Sequence, residues 1–135
     1  MTTADHATTA PDATETLQRT AAGIAGLIAL LYGLIWAGVL PAVAGAESGE
    51  VAILGVAGVV FLVLAVLLWR FAGRLLWLGT AILQVTMIGM YVVISAEREP
   101  AFEVWGLSIR VAQVALIGVL VALVVRATRQ RRNGP

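Results

Sequence analysis

Four blocks of apolar residues dominate this chain, and each block is long enough to cross a lipid bilayer. They extend over about residues 19–43, 51–69, 74–95 and 104–126. Crossing roughly 30 Å of hydrocarbon takes about 20 helical residues, and the blocks are apolar all round, as lipid-facing helices require. Since 60% of the 135 residues are hydrophobic and 13% are charged, the chain cannot cover a water-soluble surface with polar side chains. We therefore predict an all-α fold, a polytopic membrane protein built as a bundle of four transmembrane helices.

The basic residues predict how the bundle lies in the membrane. All of them are arginine, and most fall on one side if both termini are cytoplasmic: Arg19, Arg70, Arg74, Arg126, Arg129, Arg131 and Arg132. The opposite side has Arg98 and acidic loops. An excess of basic residues is typical of cytoplasmic ends, and Trp36 and Trp105 then mark the outer interface while Trp69 and Trp77 mark the inner one. The use of arginine throughout suggests a high-GC coding sequence, which favours a bacterial inner (plasma) membrane.

Two polar segments flank the predicted membrane domain. Residues 1–18 contain no apolar run, so we predict a disordered cytoplasmic tail. Its His6 is the only histidine of the chain, and a lone imidazole cannot complete a metal site. Residues 127–135 form a basic cytoplasmic tail. Four arginines at or near its start are expected to attract anionic lipid: Arg126, Arg129, Arg131 and Arg132. Nucleic acid is not an expected partner.

One alternative concerns the first span, which could be a cleaved signal peptide. Ala42, Ala44 and Ala46 are small residues of the kind found at cleavage sites, and cleavage there would leave three spans. However, the apolar stretch over residues 21–40 exceeds the roughly 7 to 15 residues of a signal-peptide core. We therefore expect the first span to remain part of the protein.

Small residues recur at steps of three and four along the first span. We call this set the small-residue stripe: Ala22, Gly26, Ala29, Gly33 and Ala37. Such a stripe lets helix backbones approach closely, either inside the bundle or between copies of the chain. Glycine and alanine are also common in membrane spans generally, so the stripe could have no specific role, but a helix-packing face is the favoured interpretation.

Polar residues inside the last two spans predict a second feature. Arg110 lies about 6 residues inside the outer end of the fourth span, roughly 9 Å deep at 1.5 Å per residue. We expect it to pair with Glu103 or another outer glutamate. Gln84 and Gln113 fall near the midplane at similar height, where a hydrogen bond between them would contribute about 0.6 to 2 kcal/mol. We call the following set the polar seam: Arg110, Gln113, Gln84, Tyr91 and Tyr32.

The polar seam admits three interpretations. It could be structural glue between helices, a site for a ligand or solute, or a docking face for a larger membrane complex. Of these, structural glue is the favoured interpretation and a ligand or solute site is the second. An arginine at this depth needs a partner in each of them, since charges inside membranes usually face the bundle interior or a wet cavity.

Missing residue types exclude several function classes. No aspartate or glutamate lies within a predicted span, which argues against small proton-coupled drug exporters that depend on a membrane-embedded glutamate. The chain has no cysteine, and no histidine lies in a predicted span, so thiol redox chemistry and haem ligation are not expected. No nucleophile and base are paired in the sequence. We expect a non-enzymatic protein with no catalytic, cofactor or metal site.

The last two predicted spans resemble a known type of protein. The stretches TAILQVTMIGMYVVIS and EREPAFEVWGL, followed by an apolar helix that ends in arginine, are similar to the second half of uncharacterised four-span integral membrane proteins of high-GC Gram-positive bacteria. Tyr91 and the Glu99-Pro100 turn are the most specific elements. The size and the four-span layout are also similar to the DoxX-like group. Neither resemblance implies an activity or a site residue.

Two functions are consistent with these observations, and the first of them is the leading hypothesis. The first is a non-enzymatic accessory or scaffold protein, which would pack with itself as a homo-oligomer or with a larger membrane complex through the small-residue stripe. The second is a small transporter or channel, in which the polar seam lines a pocket for an anionic or neutral polar solute.

Overall fold

The computed structural model describes residues 12–41, 48–96 and 104–132, and within these ranges the only regular structure is helical. There are four α-helices: α1 (Ala13–Trp36), α2 (Ser48–Arg70), α3 (Arg74–Ala96) and α4 (Val104–Arg132). Each helix contains a stretch long and apolar enough to cross a membrane. The predicted all-α fold is therefore confirmed, and four such helices make the chain a small integral membrane protein.

Helix α1 begins earlier than the sequence suggested. Asp12 caps it, because its Oδ1 accepts a hydrogen bond of 3.3 Å from the backbone N–H of Thr14, and Glu15 places a negative charge in the first turn. Both features stabilise a helix N-terminus. Residues 13–18, assigned to the disordered tail by composition, are therefore helical. The rest of that tail, including His6, lies outside the described residues.

Helix α1 also ends earlier than predicted, at Trp36 instead of near residue 43. The reason is Gly38, which adopts a φ of +72°, a left-handed conformation that glycine tolerates without steric cost. The Gly38 N–H donates to the Ile35 carbonyl and the Val39 N–H donates to the Leu34 carbonyl. This pair of bonds is a Schellman motif. The chain therefore leaves the helix before it reaches Pro41.

The bounds of the other helices agree more closely with the apolar blocks, except at the C-terminal end of α4. Helix α4 continues to Arg132, so most of the predicted basic tail is helical. The basic side chains in its last turn are favourably placed at the negative end of a helix dipole.

The helices pack side by side and antiparallel. Gln18 near the start of α1 contacts the end of α2, and Tyr91 near the end of α3 contacts the start of α4. Helix α1 packs against both α2 and α4, and α3 packs against α4, whereas α2 and α3 approach each other over only a few residues. Helix α1 thus lies between α2 and α4, and α3 packs on α4.

The apolar side chains are divided between the core and the surface. Large side chains in the core are fully buried, among them Phe61, Ile28, Leu116 and Leu120. Many others are largely exposed, and Leu75 on α3 is 86% exposed. In water such a surface would be unstable, whereas hydrocarbon solvates it at no cost. The exposed apolar surface is therefore the lipid-facing surface.

Candidate functional site: an arginine between three helices

Arg110 on α4 connects three helices through its guanidinium group. Nη2 donates a hydrogen bond of 3.0 Å to the hydroxyl of Tyr32 on α1. Nη1 donates to the backbone carbonyl of Met87 on α3 at 3.3 Å and to Oε1 of Gln113 one turn further along α4. Each of these partners is neutral. The positive charge is thus held by dipoles, and no carboxylate pairs with it among the described residues. Glu103, its predicted partner, lies outside them.

The ring of Tyr91 covers one side of this guanidinium. The Cζ atom of Arg110 lies 4.4 Å from the centroid of the Tyr91 ring, a cation–π contact. Gly106, one turn before Arg110, makes this arrangement possible, because a Cβ atom there would lie 2.6 Å from the Tyr91 hydroxyl. Gly106 was not singled out from the sequence. Its signal is a glycine four residues before an intramembrane arginine and opposite an aromatic residue in the hairpin.

Tyr32 extends the site to α2, the one helix that Arg110 does not contact through a described hydrogen bond. It is 2% exposed, and its ring stacks on Phe61 of α2, with ring centroids 5.7 Å apart and an interplanar angle of 28°. Phe61 is itself fully buried. Sequence depth alone suggested that Tyr32 could join the polar seam, and the structure places it there, while the role of Phe61 was missed. Arg110 is consequently anchored to an aromatic pair that fixes α1 against α2.

The predicted hydrogen bond between Gln84 and Gln113 is not formed in this structure. Both side chains are fully buried and lie on facing helices, as their depth predicted. However, Oε1 of Gln113 accepts from Arg110, and both amide atoms of Gln84 are without a hydrogen-bond partner. A charged guanidinium is a stronger hydrogen-bond donor than a carboxamide. The depths of the residues along their helices could not show that Arg110 would donate to Oε1 of Gln113.

Unpartnered polar atoms are concentrated along the interface between α3 and α4. Within the part of the chain that the structure describes, the buried side-chain atoms without a hydrogen bond are Trp77 Nε1, Thr80 Oγ1, Gln84 Oε1 and Nε2, Arg110 Nε and Gln113 Nε2. Each such atom costs about 1–3 kcal/mol when it is left unsatisfied. The unpartnered atoms of α3 belong to residues at helical spacing on one face of the helix. The row of polar groups therefore continues from Gln84 toward the start of α3, to Thr80 and Trp77.

The small-residue stripe lies away from this site and faces α2. Ala22 and Ala29 are buried, and a Cβ atom added to Gly26 would lie 4.0 Å from Cβ of Ala65 on α2. The backbone of Gly33 also faces α2, since its nitrogen would lie 3.5 Å from a Cβ at Gly58. Ala37 is the exception, because it caps α1 and is exposed. Most of the stripe thus packs inside the chain.

The described residues contain no group of three or more His, Cys, Asp or Glu side chains that could hold a metal ion. The polar seam offers amide, hydroxyl, indole and guanidinium groups instead. Amide and guanidinium N–H groups donate hydrogen bonds, so the chemistry available at this site is binding of an anionic or neutral polar group.

Comparison with protein-family models, with curated proteins and with solved structures found no match for this chain. The functional argument therefore rests on the geometry of the site.

Proposed function

We propose that this integral membrane protein is a small non-enzymatic transporter or channel, whose polar seam binds an anionic or neutral polar solute. The observation that carries the proposal is the state of Arg110, whose described partners are a hydroxyl, a carbonyl, a carboxamide and an aromatic ring. An intramembrane charge usually faces the bundle interior or a wet cavity, and such charges mark substrate and ion pathways. A guanidinium held by neutral groups keeps its full charge available to an anion.

The position of the unpartnered atoms supports this proposal. Arg110 lies toward the outer part of α4, and Gln84, Thr80 and Trp77 follow along α3 toward its start. From Tyr91 to Trp77 the helix rises about 21 Å at 1.5 Å per residue, a large part of the roughly 30 Å hydrocarbon thickness. Polar groups at successive depths are what a solute needs in order to exchange one set of hydrogen bonds for the next.

The accessory or scaffold function has less support. It depended on the small-residue stripe as a surface between copies or partners, and the stripe is packed mainly against α2 of the same chain. Self-association and assembly with a larger complex remain predictions of the sequence. The transporter proposal uses the polar seam instead, whose unpartnered buried atoms lie on α3 and α4.

We also propose that the protein resides in a bacterial plasma membrane with both termini cytoplasmic. The distribution of arginines supports this orientation, and the antiparallel packing brings Arg19, Arg70 and Arg126 to the same end of the bundle. Because the chain lacks cysteine, single cysteines introduced at Asp5, Ala44 and Asn133 can be labelled in intact cells with a membrane-impermeant maleimide. We expect only the Ala44→Cys variant to be labelled. Labelling of a cysteine at either terminus would contradict the proposed orientation.

Solute flux through proteoliposomes tests the transport proposal. Purified full-length protein is reconstituted, and the fluxes of chloride, nitrate, acetate, phosphate and glycerol are compared with those of protein-free liposomes. We expect at least one anion to move faster with the wild-type protein and Arg110→Gln to abolish the increase. Arg129→Gln is the matched control, since it removes an exposed arginine in the last turn of α4, and it should leave flux unchanged.

A folding check makes this experiment decisive. Arg110→Lys keeps the charge, and circular dichroism in detergent reports whether each variant is helical. If all five solutes move no faster than through empty liposomes, or if a folded Arg110→Gln variant transports as well as wild type, the proposal is wrong. Crosslinking of the same preparation would then show whether the protein instead assembles with itself.

A further inference from the structure

A groove on the outside of the α1–α2 pair lies apart from the polar seam. It has a volume of about 430 Å³ and is lined by Ala22, Gly23, Ala65, Val66, Trp69 and Arg70. We call it the α1–α2 groove. Gly23 is exposed, and a Cβ atom there would meet nothing within 4 Å. The small side chains of both helices therefore leave a hollow on the lipid-facing surface, although the helices themselves approach closely nearby.

Aromatic and cationic groups close one end of this groove. Trp69 is 60% exposed, and the Cζ atom of Arg19 lies 5.6 Å from the centroid of its ring. Arg70 follows Trp69 and is also exposed. Arg19 has an ion pair of 2.5 Å with Glu15, whereas no ion pair of Arg70 is present in the described residues. Tryptophan next to arginine is typical of the level of lipid headgroups.

The end of α2 would ordinarily repel an anion at this position, because the carbonyls of a helix C-terminus carry a partial negative charge. Gln18 of α1 reduces this effect. Its Nε2 donates to the carbonyl of Leu68 at 2.7 Å and to the carbonyl of Phe71 at 3.2 Å. Two acceptors at the C-terminal end of α2 are thus occupied, and the positive charge of Arg70, which has no ion pair among the described residues, lies beside the groove.

We propose that the α1–α2 groove is a binding site for one anionic glycerophospholipid, with an acyl chain over Gly23 and Ala65 and the phosphate at Arg70 and Arg19. The apolar hollow and the adjacent positive charge match the two parts of such a lipid. Zwitterionic lipid offers the same acyl chain with no net negative charge, so the charge complementarity selects the anionic class. The site is independent of the polar seam, and of which side of the membrane holds the termini.

Native mass spectrometry of the full-length protein tests this site. Protein released from micelles that contain equal amounts of phosphatidylglycerol and phosphatidylcholine is expected to retain one phosphatidylglycerol molecule. Arg70→Gln should lower its retention about fivefold, the factor that the attraction of one arginine to anionic lipid supplies. Gly23→Leu should fill the groove and remove retention of the lipid, while leaving the helix intact because leucine is the better helix former.

Two matched controls separate a built site from general attraction. Gly79→Leu adds the same side chain at an exposed position of α3 with nothing within 4 Å, and Arg129→Gln removes an arginine in the last turn of α4. Neither should change retention. The proposal is overturned if phosphatidylcholine is retained equally by wild type, if Arg129→Gln acts as strongly as Arg70→Gln, or if Gly23→Leu has no effect.

Discussion

The α1–α2 pair and the α3–α4 pair are both antiparallel, but different side chains fill the two interfaces. In the first pair Gly58 lies against the backbone of Ala29 and Gly33, so the helices meet through small residues. In the second pair Gly106 lies against the ring of Tyr91, and the interface encloses polar side chains. A glycine permits close approach in both cases, to a backbone in one and to an aromatic ring in the other.

The two pairs also differ in how their amide side chains are satisfied. Gln18 donates to two carbonyls at the end of α2, whereas Gln84 on α3 is fully buried and has no hydrogen-bond partner. Unpartnered buried polar groups reduce stability. We therefore expect the α1–α2 pair to be the more stable of the two, and the proposed function uses the α3–α4 pair.

The largest effect is expected at the close approach of α1 and α2. A Cβ at position 58 would already be in van der Waals contact with α1, 3.4 Å from Cβ of Tyr32 and 3.5 Å from the Ala29 carbonyl oxygen. The further atoms of the leucine in Gly58→Leu therefore have to push the two helices apart. We expect the free energy of unfolding to fall by about 3 kcal/mol, the upper part of the range for overpacking. Unfolding by dodecyl sulfate, followed by circular dichroism, measures this. Gly79→Leu is the control, and an equal loss in both variants would contradict the interpretation.

A smaller effect is expected where α4 approaches Tyr91. Gly106→Ala should displace the Tyr91 ring and lower stability by about 1–2 kcal/mol, a typical cost of overpacking. In a Tyr91→Leu background the clash is absent, and alanine should then stabilise the helix by up to about 1 kcal/mol. The same unfolding assay on the four proteins of this double-mutant cycle gives the coupling. Additive effects would show that the ring does not lie on Gly106.

Tyr32→Phe should be milder, because it removes only the hydroxyl that accepts from Arg110. The stack on Phe61 is retained, and the loss expected for a hydrogen bond to a charged group is about 1.5 kcal/mol. Pairing this change with Arg110→Met in a double-mutant cycle isolates the contact that joins α1 to α4. A coupling energy close to zero would mean that the two side chains do not interact in the membrane.

The smallest effect on stability, and the sharpest contrast, is expected between the two buried glutamines. Gln84→Leu should be neutral or slightly stabilising, since it removes an amide without a partner, whereas Gln113→Leu should cost about 1.5 kcal/mol because Arg110 loses an acceptor. In the flux assay Gln84→Leu should nevertheless lower transport. Equal destabilisation by the two changes would remove the distinction between a structural and a functional glutamine.

Much of the site could be anticipated from residue type and depth. Arg110, Gln113 and Tyr91 were placed together because a charge and two polar groups at similar height in adjacent spans must find partners. The depth of a residue along its span does not give the rotation of the helix about its axis or the direction of the side chain. For that reason the sequence predicted a bond between Gln84 and Gln113, whereas the structure pairs Gln113 with Arg110.

Helix ends were predicted unevenly for a related reason. The N-terminal boundary of α1 depends on one hydrogen bond that Asp12 Oδ1 accepts from the Thr14 N–H, and its C-terminal boundary depends on a positive φ at Gly38. Both are local signals that can be read from sequence, but a hydropathy argument passes over them because capping residues are polar or small. The apolar blocks therefore located the helices correctly and misplaced both ends of the first one.

The sequence by itself determined that this protein is an all-helical membrane protein with four spans, because the length and hydrophobicity of each block leave no other way to satisfy the backbone in lipid. It also determined which residues are chemically unusual at their depth. Only the tertiary structure decided which helices touch. In the structure the small-residue stripe packs against α2, and Tyr32 of α1 accepts a hydrogen bond from Arg110 of α4. Helices α2 and α3 contact each other over only a few residues. In lipid every helix is apolar all round, so the hydrophobic pattern does not select a neighbour, and shape and hydrogen bonds must do so.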